Sequence, residues 1–101
     1  MTTSKSLYEF ISELERHPKS FLGSKSITRL SLFLQGWMYG DDQIIGIENL
    51  DIFDRWIKSK FNYSENDPHS WSRVILFYSQ DESDALDLFF KLFKEFRNRD
   101  V

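Results

Sequence analysis

The chain has 101 residues and a mass of 12.1 kDa, enough for one hydrophobic core and not for two. Its 41% apolar and 29% charged residues fit a globular protein, and an aromatic share of 17% argues against disorder. No run approaches the ~20 apolar residues of a membrane span, and Met1 to Ser6 leads into a charged segment unlike a signal peptide. With no cysteine, disulfides and thiolate metal sites are excluded and a reducing, cytoplasmic setting is expected.

The net charge of −3 hides an uneven distribution. Residues 1–30 hold five basic residues against three acids, residues 31–90 four against eleven, and residues 91–101 four against two. A nucleic-acid binder usually shows the opposite sign across its body, so no direct contact with nucleic acid is expected. The acidic middle suits a basic partner, although solvated helix faces would produce the same excess.

Taken in chain order, hydrophobic spacing predicts helices. Leu7, Phe10, Ile11 and Leu14 repeat as i, i+3, i+4, i+7, with Ser6 and Glu9 as a capping box. Pro18 should end this helix, and a loop through Phe21, Leu22 and Gly23 should follow. Ser24 or Ser26 then caps a second helix whose buried side is Ile27, Leu30, Phe33, Leu34, Trp37 and Met38. Gly36 inside that pattern suggests a close approach by another backbone. Gly40 to Asp42 should close the helix, with a turn over Asp42 to Gly46 and Ile44, Ile45 and Ile47 tucked beneath it.

Asn49 or Asp51 opens a third helix with Leu50, Phe53, Ile57 and Phe61 on one stripe and Trp56 beside it. Asn62 to Ser70 reads as the longest loop. Ser70 should cap a short fourth helix carrying Trp71, Val74, Ile75 and Tyr78, although the β-branched Val74–Ile75 pair also permits a strand. Asp81, Glu82 and Asp84 begin a final helix that is apolar over more than half its circumference, which makes it the central one. The expected fold is all-α, one compact domain over residues 1–101 built of about five helices.

Chemistry-bearing patterns are scarce. Zinc needs about four ligands at fixed spacing, and His17 and His69 stand in separate loops with no cysteine to join them. The span from Asp41 glances at a calcium loop, but Ile45 and Ile52 occupy its fifth and twelfth places and cannot coordinate. The four glycines are too scattered to cradle a phosphate. Asp67, His69 and Ser70 or Ser72 could in principle form a nucleophile with its base, but a cap-and-turn cluster has the same composition. Asp51 with Asp54, and Asp84 with Asp87, are better read as charges complementing helix dipoles than as an acid–base pair. No catalytic residue, metal site or cofactor site is assigned, and the chain is not expected to be an enzyme.

Two stretches carry a resemblance. One runs from His17-Pro18-Lys19-Ser20-Phe21-Leu22-Gly23 through Ile27-Thr28-Arg29-Leu30 to Gly36-Trp37. The other is Ser70-Trp71-Ser72-Arg73-Val74-Ile75-Leu76, followed by Asp81-Glu82, Ala85-Leu86 and the Phe-rich run from Phe89 to Phe96. Together they resemble a family of small all-helical bacterial proteins with a Pro-x-x-aromatic-x-Gly turn, some of which are similar to immunity proteins of contact-dependent growth inhibition and other polymorphic toxin systems. Lys19-Ser20 departs from the family pattern, where an apolar residue is more usual, while Pro18 and Gly23 keep the turn. The resemblance implies a toxin inhibitor that acts by protein–protein interaction. No binding residue transfers with it, because such surfaces differ with each toxin.

The expected partner is a cognate toxin domain, a nuclease with a basic cleft, met in a one-to-one complex by a monomer without contact with the membrane. The candidate binding surface comprises the acids Asp41, Asp42, Glu48, Asp51, Asp54, Glu65 and Asp67, with Trp37, Tyr39 and Tyr63 as aromatic anchors. A helical adaptor or regulatory module, possibly homodimeric, is the alternative. An RNA-contacting factor that uses the basic ends, Lys5 to Arg29 and Lys91 to Arg99, stands behind both.

Overall fold

Amphipathic helices with no sheet to lie on must bury their apolar stripes against one another, and the computed structural model has six α-helices among the described residues. It describes residues 6–39 and 49–99, with the side chains of residues 37–39 outside that description. In order these are α1 (Leu7–Arg16), α2 (Pro18–Leu22), α3 (Ile27–Tyr39), α4 (Asn49–Lys60), α5 (Trp71–Phe77) and α6 (Glu82–Arg97). No strand occurs among the described residues. The expected all-α architecture holds, with one helix more than the sequence suggested.

The extra helix is α2, over residues expected to form a loop. Pro18 ends α1 and also opens α2, because its fixed φ suits the first helical position and its missing N–H would have no helical partner there. Gly23 closes α2 at φ 80°, the left-handed conformation that glycine takes without strain, and its N–H donates to the Lys19 carbonyl at 2.9 Å. Arg29 Nη1 donates to the Leu22 carbonyl at 3.0 Å, so α3 satisfies an orphan acceptor of α2.

The predicted stripes are the buried ones. Leu7, Phe10, Ile11 and Leu14 of α1, Ile27, Leu30 and Leu34 of α3, and Leu50, Phe53 and Ile57 of α4 all lie in the core. Phe33 and Phe61 are only half-buried against it, and the side chains of Trp37 and Met38 lie outside the described residues. Helix α6 packs against α3, α4 and α5 and buries seven residues, among them Phe89, Phe93 and Phe96. Phe53 is the hub: its ring meets those of Trp56, Trp71, Phe89, Phe93 and Phe96 at centroid distances of 5.2–6.0 Å. Trp56 stacks on Phe53 and the other four rings meet it edge-on, and edge-on pairs add to the burial term because ring edges are positive and ring faces negative.

Two local expectations change. Gly36 is exposed, and a Cβ built on it would meet nothing within 4 Å, so no backbone of the described residues approaches it closely. Ser70 occupies the N-cap of α5, but its hydroxyl caps nothing; Asp54 Oδ1 from α4 accepts the Trp71 N–H at 2.8 Å instead. With that external cap, Trp71, Val74 and Ile75 form a buried helical stripe, which settles the choice between helix and strand. The turn expected over Asp42 to Gly46 lies outside the described residues.

Helix α3 is tied to α6 through one carboxylate. Ser26 Oγ accepts the Arg29 N–H at 3.2 Å as an N-cap, and Glu82 reaches across from α6 to accept from Ser26 Oγ at 2.7 Å, the Thr28 N–H at 2.9 Å and Thr28 Oγ1 at 2.7 Å. Burial raises the Glu82 pKa, but these hydrogen bonds and the Arg73 charge outweigh it and hold the carboxyl below its ordinary 4.5.

Candidate functional site

The end of α4 sets the site. Tyr63 N–H donates to the Lys58 carbonyl at 2.7 Å and Asn62 N–H to the Ser59 carbonyl at 3.2 Å, with Asn62 at φ 63°. This is a Schellman turn whose left-handed position is filled by asparagine, a residue that tolerates it. It turns the chain sharply, so Phe61 and Tyr63 fall back beside the helix they leave.

The loop that follows is fastened from below. Lys58 is buried, and its Nζ lies 2.9 Å from Asp54 Oδ2 and donates to the Asp67 carbonyl at 3.0 Å. A buried ammonium needs such partners, because an unpaired charge away from water is costly. Asp54 therefore holds α4, the loop and the start of α5 at once. In the loop, Asp67 Oδ1 accepts the His69 N–H at 2.9 Å and lies 2.8 Å from His69 Nδ1. The hydrogen bond from the His69 backbone, then the one from its ring, pull the Asp67 carboxyl below its ordinary 3.8.

Above this base lies an exposed aromatic surface. Phe77 and Tyr78, at the end of α5, are 54% and 55% exposed. Phe61 stacks on Tyr78 at 4.5 Å between ring centroids, and His69 meets Phe77 edge-on at 5.2 Å. Burial, then the neighbouring Tyr78 phenol and the Asp67 carboxylate, raise the Tyr63 phenol above its ordinary 10.0. Asp67 reaches this surface through His69, whose Nδ1 lies 2.8 Å from Asp67 Oδ1 and whose ring meets Phe77.

The surface expected from the sequence is only partly assembled here. Tyr63, Glu65 and Asp67 share the α4–α5 loop. Asp54 is engaged internally by Lys58 and Trp71, and Asp51 lies exposed on the first turn of α4. Asp51 and Asp54 also line a cavity of about 300 Å³ together with Leu50 and Trp71. Trp37 and Tyr39 as side chains, and Asp41, Asp42 and Glu48 entirely, lie outside the described residues.

Six of the eleven central acids have internal partners, which narrows the free negative surface. Asp54 and Asp87 pair with Lys58 and Lys25, and Asp67 serves His69. Asp81 accepts the Asp84 N–H, Asp84 accepts the Gln80 N–H, and Glu82 braces α3. The Asp51 and Glu65 carboxylates take no hydrogen bond or ion pair among the described residues, and Asp67 keeps Oδ2 without a hydrogen bond there.

Phe77 and Tyr78 were missed as surface residues. Tyr78 falls on the same helical spacing as Trp71, Val74 and Ile75, but α5 ends one residue before it. Phe77 sits off that stripe, a signal that was available. The Asp67–His69 pair forms without becoming a catalytic triad: Ser70 Oγ lies 3.0 Å from Ser72 Oγ, which turns inward to Ser31 Oγ at 3.3 Å. Among the described residues no three histidine or carboxylate groups converge to hold a metal, and no helix is long and apolar enough to cross a membrane. Compared with family models, curated proteins and solved structures, the chain finds no match.

Proposed function

We propose that this chain is an immunity protein that binds a cognate bacterial toxin domain, a nuclease, and neutralises it by covering its active or substrate-binding cleft. The observation that carries this reading is the pair of half-exposed rings, Phe77 and Tyr78, with Phe77 meeting the His69 ring that Asp67 holds at 2.8 Å. Large aromatic side chains anchor protein interfaces because they bury much area at little entropic cost, and a nuclease cleft supplies the positive charge that acids seek. The resemblance of the stretches from His17 and from Ser70 to small bacterial immunity proteins supports the same reading.

Association with a basic cleft is steered by charge, and added salt screens that steering over ~8–10 Å. The test is association of the purified chain with the toxin domain encoded beside its gene, followed by stopped-flow fluorescence at rising ionic strength. A one-to-one complex whose association rate falls about tenfold or more between low and physiological salt supports the proposal. Absence of a complex contradicts it, and a complex with a salt-independent rate removes the electrostatic mechanism.

A further inference from the structure

We infer that the aromatic surface at the end of α5 seats a cationic side chain, an arginine or lysine presented by the partner. This deepens the proposed function and rests on it for the partner's identity, but not for the site. Electron-rich ring faces attract a cation, and the half-exposed Phe77 and Tyr78 offer two such rings at the α5 terminus, with Phe61 from the α4 turn stacked on Tyr78 at 4.5 Å.

Charge complementarity selects the occupant. The Asp67 carboxylate is held 2.8 Å from His69 Nδ1, whose ring meets Phe77 edge-on at 5.2 Å, and its Oδ2 takes no hydrogen bond among the described residues. Glu65, exposed two residues before it, has no ion pair among those residues. Two basic side chains stand at this surface without lying over its ring faces: His69 holds Asp67 Oδ1 and meets Phe77 edge-on, and Lys58 donates to the Asp67 carbonyl from beneath the loop. Lys58 is buried against Asp54, and Lys60 pairs with Glu95 at 3.1 Å while lying over the Trp56 ring at 5.3 Å.

The same chain already uses this chemistry internally, with no need of a partner. Arg97 lies over the half-buried Tyr8 ring at 4.7 Å and Arg99 over the core ring of Phe96 at 4.0 Å, so guanidinium groups already pair with ring faces in this chain. At Phe77 and Tyr78 no cation over either ring is found among the described residues. An acidic rim beside uncovered rings accommodates a cation and disfavours an acidic or purely apolar group.

The experiment uses the full chain labelled with ¹⁵N and titrated with a hexa-arginine peptide, with hexalysine, and with the neutral citrulline hexamer as control. Amide shifts clustered at residues 61–69 and 76–79 for the cationic peptides, and absent for citrulline, are expected. The F77A/Y78A double variant should bind hexa-arginine about tenfold more weakly, equivalent to about 1.4 kcal/mol, with an unchanged circular dichroism spectrum because both side chains are exposed. Equal shifts with citrulline overturn the cationic occupant. Shifts spread over Asp51, Asp81 and Asp84, or a double variant that binds hexa-arginine as well as the parent, overturn the site. If the peptides bind at this site but the chain forms no complex with the toxin domain, the cation site stands and the immunity reading falls.

Discussion

Removing the Asp54 carboxylate should loosen the platform on which the proposed surface stands. In D54A two contacts vanish: the cap on the Trp71 N–H at 2.8 Å and the partner of buried Lys58 at 2.9 Å. Loss of an N-cap costs about 1 kcal/mol. Removing one member of a fully buried pair costs roughly 3–5 kcal/mol, but Lys58 keeps the Asp67 carbonyl at 3.0 Å and Asp54 is partly open to water. A loss of roughly 2 kcal/mol is therefore reasonable for the pair, and about 3 kcal/mol for both contacts together. With an unfolding entropy near 2.1 cal/mol/K per residue, that lowers Tm by roughly 14 °C.

Asparagine separates the two contacts. D54N keeps an oxygen for the Trp71 N–H and loses only the charge, so it should lose about half as much stability as D54A. K58M removes the stranded ammonium, and the D54N/K58M pair should be more stable than the sum of the single losses predicts by at least about 1 kcal/mol. Urea denaturation of the parent and the four variants measures all of this. Equal stabilities for D54A and the parent, or strict additivity of the double variant, would refute the assignment of Asp54 as the fastener.

Other consequences concern the helix ends and α3. Because the Glu82 carboxyl is held below its ordinary 4.5, its contribution to stability is fully present above that value and lost as pH falls through the lower folded-state pKa. The E82Q variant should thus be less stable than the parent at neutral pH, and the gap should close in acid; denaturant midpoints at pH 7 and pH 3 test it, and a pH-independent gap would count against the brace. G36A should stabilise the protein by about 0.5–1 kcal/mol, since the position is helical, exposed and empty around a built Cβ. A destabilised G36A in thermal melts would mean that something packs there after all.

How far the sequence carried the fold is clearest at α1 and α6. Their stripes repeat without interruption and their caps are local: Ser6 with Glu9, and Asp81 with Asp84. Periodicity failed at α2, where five residues between Pro18 and Gly23 are too few to display a period. It failed differently at α5, whose N-terminus is capped by Asp54, seventeen residues earlier in the chain. No window of local sequence contains that contact.

The site was legible in the same uneven way. Tyr63, Glu65 and Asp67 could be picked out from composition because they stand together in one loop. The destinations of the acids could not: Glu82 binds residues more than fifty positions away, and Asp87 meets Lys25 in the α2–α3 loop. Charge counts alone treat such carboxylates as free surface. Tyr78 escaped because an aromatic on a core stripe is more often packed than open, and only the end of α5 at Phe77 reveals which of the two obtains.

The most direct measurement of the central claim is growth of a bacterial host expressing the toxin domain encoded beside this gene, together with the parent chain or F77A/Y78A. The account predicts full growth with the parent and loss of protection, at equal protein level, with the double variant. Protection by both proteins alike would contradict the surface at the end of α5, and no protection by the parent would contradict the function itself.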